Sequence, residues 1–197
     1  LLKKDRSKAI VHVYIAPQEN PQEAVAFLRE RYSAEGIANE IELNQCKNED
    51  WENNWKQYFH QFYIDDILVI PSWEDVKPED DEKMVLHIDP GTSFGTGMHE
   101  TTQLCIRQLR KYITPETELL DVGTGSGILA ILSLMFGAKH AVGTDLDICA
   151  IDAVADNCAN NGIAPQQFEM MIGNIITDKE IQDKVGYECY DIVVANI

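Results

Sequence analysis

Apolar and polar positions change their rhythm along the chain, and each change predicts an element. Residues 8–16 (KAIVHVYIA) alternate as a strand does. Asn20 and Pro21 then mark a helix start, with Asn20 as N-cap, Pro21 in the first helical position and Glu23 in the first turn. Val25, Phe27, Leu28 and Tyr32 form its apolar stripe, and Gly36 ends it. A second strand is expected at NEIELNQC, residues 39–46. Such a β-α-β unit is too small to hold a core alone. It fits part of a small α+β lobe.

From Asp50 to Phe62 the spacing becomes helical, with Trp51, Trp55, Phe59 and Phe62 on one face. An aromatic stripe of this kind serves either as a ligand shelf or, more commonly, as core or a buried seam. It is read here as a connecting helix. Ile64–Ile70 and Met84–Ile88 are expected to be strands separated by the acidic turn PSWEDVKPEDDE, a solvated charge run. Leu104 to Ile113 predicts a helix.

From Glu118 onward, strand and helix patterns alternate: ELLDVG, then ILAILSLMFG, then AVGTDL, then ICAIDAVADNCANNG with Asp147 as its cap, then the strands FEMMIGN and YDIVVANI. That alternation implies a parallel sheet covered by crossover helices.

The candidate chemistry lies where these strands end. In LLDVGTGSGILA, residues 119–130, a strand turns through Gly123, Gly125 and Gly127 into a helix. Glycine lets the backbone bend sharply and approach a ligand closely, and the helix start offers free N–H groups. By itself the pattern also fits a plain tight turn. A dinucleotide fingerprint needs G-x-G-x-x-G, yet position 128 is Ile. The motif is instead G-x-G-x-G preceded by Asp121. An acid there suits a cationic amino-acid end and repels a pyrophosphate. Asp145 ends the next strand 22 residues after Gly123, where a carboxylate can accept both hydroxyls of a ribose. Acids at both strand ends point to a nucleoside that carries an amino acid, which is S-adenosylmethionine. Asn174, after Gly173, ends the third strand near an adenine edge, and Asn196 ends the fourth. Asn196 alone would read as a turn residue. After three matching strand ends it is counted with the site.

These features resemble a class I, Rossmann-like methyltransferase sheet. The order DPGTSFGTGMHETT (89–102), LLDVGTGSGILAI, VGTDLD, VANI is more specific. It resembles the family of methyltransferases of large-subunit ribosomal protein eleven, the PrmA type, from about residue 48 to the end. DWENNWKQYF and IPSW resemble that family's linker and domain start. The pattern P-G-x-x-F-G-T-G-x-H-x-T-T is met by Pro90, Gly91, Phe94, Gly95, Thr96, Gly97, His99, Thr101 and Thr102; Met98 and Glu100 occupy slots where relatives often have Thr and Pro.

The resemblance implies an α/β fold in three parts: a partial ferredoxin-like substrate-recognition lobe at 1–47, a linker helix at 48–62 and a methyltransferase domain at 63–197. It implies cofactor contacts at Thr102, Gly123, Asp145 and Asn196, to which the residue reading adds Gly125, Asn174 and Asp121. The implied substrate is the ribosomal protein, methylated at its N-terminal amine and at lysines. The family's N-terminal domain is longer than the residues before the linker here, and a complete sheet of this class needs three more strands. A longer parent chain is therefore expected.

Methyl transfer from a sulfonium needs no metal and little acid–base help, so orientation carries the reaction. The nucleophile must be a neutral amine, and an aromatic, desolvating pocket lowers an amine's pKa. Phe94 is a candidate wall for such a pocket, or simply core. His99 either takes part in catalysis or bonds the local backbone. His12, His60, His87 and His140 have no metal-ligand spacing.

Bulk numbers narrow the partners. A formal net charge of −17 repels phosphate backbones, so free nucleic acid is a poor partner and a basic protein a better one. Five scattered cysteines without a C-x-x-C pair fit a reduced, cytoplasmic protein. No apolar run reaches the roughly 18 residues of a membrane span. The rival readings are another class I methyltransferase acting on a small molecule or nucleic acid, a nicotinamide oxidoreductase, disfavoured by Ile128, and a non-catalytic fragment.

Overall fold

The structure, a computed structural model, describes residues 11, 13, 15, 20–44, 59–80, 82–89 and 97–197. The chain divides into two compact units, residues 1–53 and 54–197. The division falls inside the segment expected as a linker helix. Trp51 and Trp55 of that segment lie outside the described residues.

In the first unit, helix α1 spans Pro21–Ala34 and begins as its sequence predicts, with Pro at the first helical position after Asn20. Asn20 caps through its backbone carbonyl, which accepts from Glu23 and Ala24 N–H, and its side chain makes no capping bond. Gly36, at φ 67°, closes the helix, and Ile37 N–H returns to Tyr32 C=O at 2.8 Å. No residue of α1 is buried. The strand expected at 8–16 lies mostly outside the described residues, and of the one expected at 39–46 the described residues 39–44 are irregular.

The second unit begins with a three-stranded sheet. β1 (Phe62–Ile64) pairs antiparallel with β2 (Ile67–Ile70), and β2 pairs parallel with β3 (Met84–His87). Two expectations are corrected here. Ile64–Ile70 is not one strand but the two arms of a hairpin, because Asp65 and Asp66 form the turn and Asp65 takes φ 54°. Aspartate tolerates that left-handed conformation better than most residues. The aromatic helix does not reach Phe62, which starts β1; Phe59 is buried, with its ring edge-on to Phe62 at 6.1 Å.

Helix α2 (Glu100–Tyr112) starts four residues before its predicted position and leads to a second sheet. β4 (Glu118–Val122), β5 (His140–Asp145), β6 (Phe168–Ile172) and β7 (Ile192–Ala195) lie in the order β6-β5-β4-β7, all parallel. Helices α3 (Ile128–Met135), α4 (Cys149–Asn160) and α5 (Lys179–Val185) make the connections. The alternation predicted from Glu118 onward is therefore present. The short α5 was not anticipated; Asp178 caps it by accepting from Glu180 N–H at 3.0 Å.

One face of this sheet contributes Leu119, Ala141, Phe168 and Val194 to a core shared with α2, α3 and the three-stranded sheet. The other face packs Leu120 and Val142 against Ile181 and Val185 of α5. Two bidentate pairs, Arg107 with Asp65 and Arg110 with Asp66, fasten α2 to the β1–β2 turn. The guanidiniums hold both carboxyls below the usual range, that of Asp66 at about 2. No helix among the described residues is long and apolar enough to cross a membrane.

Candidate functional site

In an open parallel sheet, ligands bind beyond the carboxyl ends of the strands. A cavity of about 500 Å³ lies there, over the ends of β4, β5, β6 and β7. That size is ordinary for a small-molecule site. Thr102, Gly123, Gly125, Asp145, Asn174 and Asn196 all line it, so the structure gathers six of the seven expected cofactor contacts around one space.

The turn between β4 and α3 forms the cavity wall. Gly123, Gly125 and Gly127 have φ of 72°, 53° and 82°, a conformation that costs any other L-residue energy. Gly123 N–H and Thr124 N–H both donate to Thr144 C=O, at 2.8 and 3.0 Å, which ties the turn to the end of β5. Gly125 N–H donates to Asp145 Oδ2 at 2.8 Å, and Asp147 N–H donates to Asp145 Oδ1 at 3.0 Å. Each carboxylate oxygen thus has one backbone donor and a lone pair to spare. Asp147 Oδ1 accepts from Cys149 N–H at 2.9 Å, but the N-cap position of α4 is Ile148, one residue later than the expected Asp147.

At the β7 side, Asn196 Nδ2 donates to the buried Thr102 hydroxyl at 2.9 Å. Sequence reasoning named both residues but not the bond between them. At the β6 side, Asn174 Oδ1 accepts from Ile176 and Thr177 N–H at 2.9 and 3.3 Å, leaving its amide N–H groups as donors. Leu146 and Ile176, 70% and 79% exposed, add apolar surface to the rim. A carboxylate on the β5 end, amides on two neighbouring strand ends, glycines without Cβ and apolar flanks together fit a nucleoside with a polar tail.

Asp121 departs from expectation. It is 1% exposed and does not line the cavity. Its Oδ2 accepts from Thr124 Oγ1 at 2.7 Å, and Oδ1 has no hydrogen-bond partner. Burial pushes its pKa up to about 6, with help from the charge of Asp145 and against the Thr124 hydroxyl and the Ala130 N–H. The expected direct contact with a cationic ligand end is therefore not met. Asp121 pairs in register with Gly143, below the strand end, and points with Leu119 into the helix-covered face.

His99 is exposed, with Nδ1 2.9 Å from Thr101 Oγ1, and stays outside the cavity lining. It precedes α2 without a side-chain capping bond. Phe94 lies outside the described residues. Gly97 is buried at φ 79°, and a Cβ there would stand 2.6 Å from Ile128 Cδ1, so the downstream stem of the 89–102 stretch rests on the start of α3. Among the described residues, no group of three or more His, Cys, Asp or Glu side chains is placed to hold a metal ion.

Known proteins resemble this chain. A protein from Lachnospira eligens named ribosomal protein L11 methyltransferase is 54% identical over 157 residues, covering 80% of this chain and 49% of the relative. A protein of the same name from Lachnoclostridium phytofermentans is 37% identical over 215 residues, covering all of this chain and 65% of its own length. The chain therefore spans about half to two thirds of the length of these curated relatives. The crystal structure of a ribosomal protein L11 methylase from Lactobacillus delbrueckii subsp. bulgaricus superposes with a TM-score of 0.59 at 32% identity, covering 71% of this chain and 67% of that one. The family profile described as ribosomal protein L11 methyltransferase (PrmA) matches residues 2–197, and the chain belongs to that family.

Proposed function

We propose that this chain is the cofactor-binding portion of an enzyme that transfers methyl groups from S-adenosylmethionine to the N-terminal amine and lysines of ribosomal protein L11. The observation that carries this reading is the convergence of Asp145, Asn174, Asn196 and Thr102 on one cavity around the glycine turn. The names of the relatives support the substrate.

Asp145, aimed by the N–H groups of Gly125 and Asp147, accepts from two ribose hydroxyls. Leu146 and Ile176 cover the faces of the base, and the free N–H groups of Asn174 read its edge. The carbonyl oxygen of Asn196, whose amide nitrogen is held by Thr102, accepts from the cationic amino group. S-adenosylmethionine supplies an activated methyl group and a neutral leaving group. The chain's own residues have only to hold an amine in line and keep water away. A lysine amine, with a pKa of about 10.4 in water, is drawn to its neutral form by desolvation. No general base is assigned.

The first unit, described mainly through α1, is proposed as part of the ferredoxin-like lobe that recognises the substrate. A net charge of −17 complements a basic ribosomal protein and disfavours free nucleic acid. On this reading the protein works in the cytoplasm.

The test is transfer of labelled methyl from S-adenosylmethionine to purified L11 by the full-length protein, beside its Asp145→Ala variant. Label in L11 that falls by about a hundredfold in the variant is expected, from the loss of two charge-assisted bonds. Absence of label with the wild type, or equal label with the variant, overturns the reading.

A further inference from the structure

Asn157, on α4, is fully buried. Its Oδ1 accepts from Asp89 N–H at 2.9 Å. Its Nδ2 donates to Ser126 C=O at 2.9 Å and reaches Asp89 C=O at 3.4 Å. One carboxamide, with one acceptor and two donors, thus joins three pieces of chain: α4, the glycine turn and the residue that opens the 89–102 stretch. Asp89 is fastened a second time, because its carboxylate accepts from Ser72 N–H at 2.8 Å and from Ser72 Oγ at 2.6 Å. Asp89 is therefore a fixed post, and Asn157 is the strut between it and the turn.

The turn needs such a strut. Three glycines in five positions restrict the backbone little, and Ser126 lies between two of them. The adjacent Gly125 is the residue whose N–H aims Asp145. We infer that Asn157 is a positioning residue of the cofactor cavity, holding the glycine turn against Asp89 so that Gly125 N–H and the Asp145 carboxylate keep their mutual aim. This rests on the cofactor reading above.

The molecule supplies its own control. Asn161, one helical turn later, makes the same kind of clamp: Oδ1 accepts from His87 N–H at 2.8 Å, and Nδ2 donates to His87 C=O at 2.6 Å. It fastens the end of α4 to β3 and also donates from Nδ2 to Asn157 C=O at 2.7 Å, but among the described residues it makes no hydrogen bond to the glycine turn. A role limited to holding α4 against the upstream sheet would make the two asparagines equivalent. A positioning role makes them different.

The experiment uses the full-length protein and S-adenosylhomocysteine, with calorimetric Kd, cofactor KM and kcat, and thermal unfolding measured on each variant. Asn157→Ala is expected to raise Kd and KM together by roughly tenfold or more, with a smaller change in kcat, as loss of ground-state binding requires. Asn161→Ala is expected to lose comparable stability while keeping Kd within about twofold of the wild type. Asn157→Asp tests the idea even where the alanine variant fails to fold. Its carboxylate would face two carbonyls at neutral pH, whereas the protonated acid again offers a donor, so Kd recovers as pH falls relative to the wild type measured alongside. Wild-type Kd in Asn157→Ala, equal weakening in Asn161→Ala, or an Asn157→Asp defect that does not change with pH overturns the inference. Failure of the wild type itself to bind S-adenosylhomocysteine overturns the cofactor reading and this inference with it.

Discussion

Asp121 and Asp145 stand near the carboxyl ends of adjacent parallel strands, yet the first is sealed beneath the glycine turn and the second opens on the cavity. The difference is one of register. Asp121 lies opposite Gly143, two steps before Asp145, and Asp145 lies opposite Ile172 at the last rung of the sheet. At the lower level, alternation turns Asp121 into the apolar helix layer, where burial favours its protonated form. At the upper level, two backbone N–H groups receive Asp145 and solvent remains near. An acid beside a glycine-rich turn is therefore not by itself a ligand contact. Its step along the strand decides whether it binds a ligand or supports the turn that does.

The largest effect should come from the upper acid. Asp145→Ala removes the receptor for both Gly125 and a ribose, and calorimetry with S-adenosylhomocysteine should show at least about a hundredfold weaker binding, near 3 kcal/mol. Affinity within a few-fold of wild type would erase the distinction between the two sites.

The lower acid should act through stability instead. A folded-state pKa raised to about 6 from 3.8 means that the native state binds a proton more tightly than the unfolded state. Its contribution is thus full below pH 4 and lost as pH rises through 6. Asp121→Asn, neutral throughout, should gain stability over wild type across that window, by a final difference on the order of 3 kcal/mol. Urea denaturation at pH 4, 5, 6 and 7 reads it, and a pH-independent difference would mean that Asp121 is not shifted. Cofactor affinity should change little.

Opposite Asp121 on β5, Gly143→Ala would place a Cβ 2.8 Å from Phe168 and 3.1 Å from Thr124 Cγ2. Overpacking of this kind costs about 2 kcal/mol, visible in the denaturation midpoint. An unchanged midpoint would show room beneath the turn that the geometry denies. The smallest effect is expected at Thr102→Val, which removes the acceptor of the Asn196 amide. A loss of about 1 kcal/mol, or some fivefold in cofactor Kd, would place this contact below Asp145 in importance. A loss equal to that of Asp145→Ala would reverse the ranking.

What could be read from the sequence was what neighbours along the chain determine. The strand patterns at 118–122, followed by Gly123, and at 140–145, ending in Asp145, carried the sheet and its binding edge. What escaped depended on distant partners. Ile64–Ile70 looks like one strand because no glycine marks the hairpin; Asp65 and Asp66 turn there while engaged by arginines 42 and 44 residues away. The α2 start was missed because His99 gives no capping bond. Helix α5 is seven residues long, too short to show a period beyond Ile181 and Val185. Asn157 sits 68 residues from Asp89, and nothing local distinguishes it from a surface asparagine. Asp121 was misplaced because the motif gives its order along the strand but not the depth at which the strand meets its neighbour.

The Thr102–Asn196 bond joins positions 94 residues apart, and β7, which delivers Asn196, pairs directly with β4 across about half of the second unit. Contacts of such long sequence separation are slow to form, since the intervening chain must first surrender its loop entropy. The cavity therefore exists only where the folded unit has closed these long loops. A ligand that binds only the completed cavity then acts on the lifetime of the folded chain as well as on its chemistry.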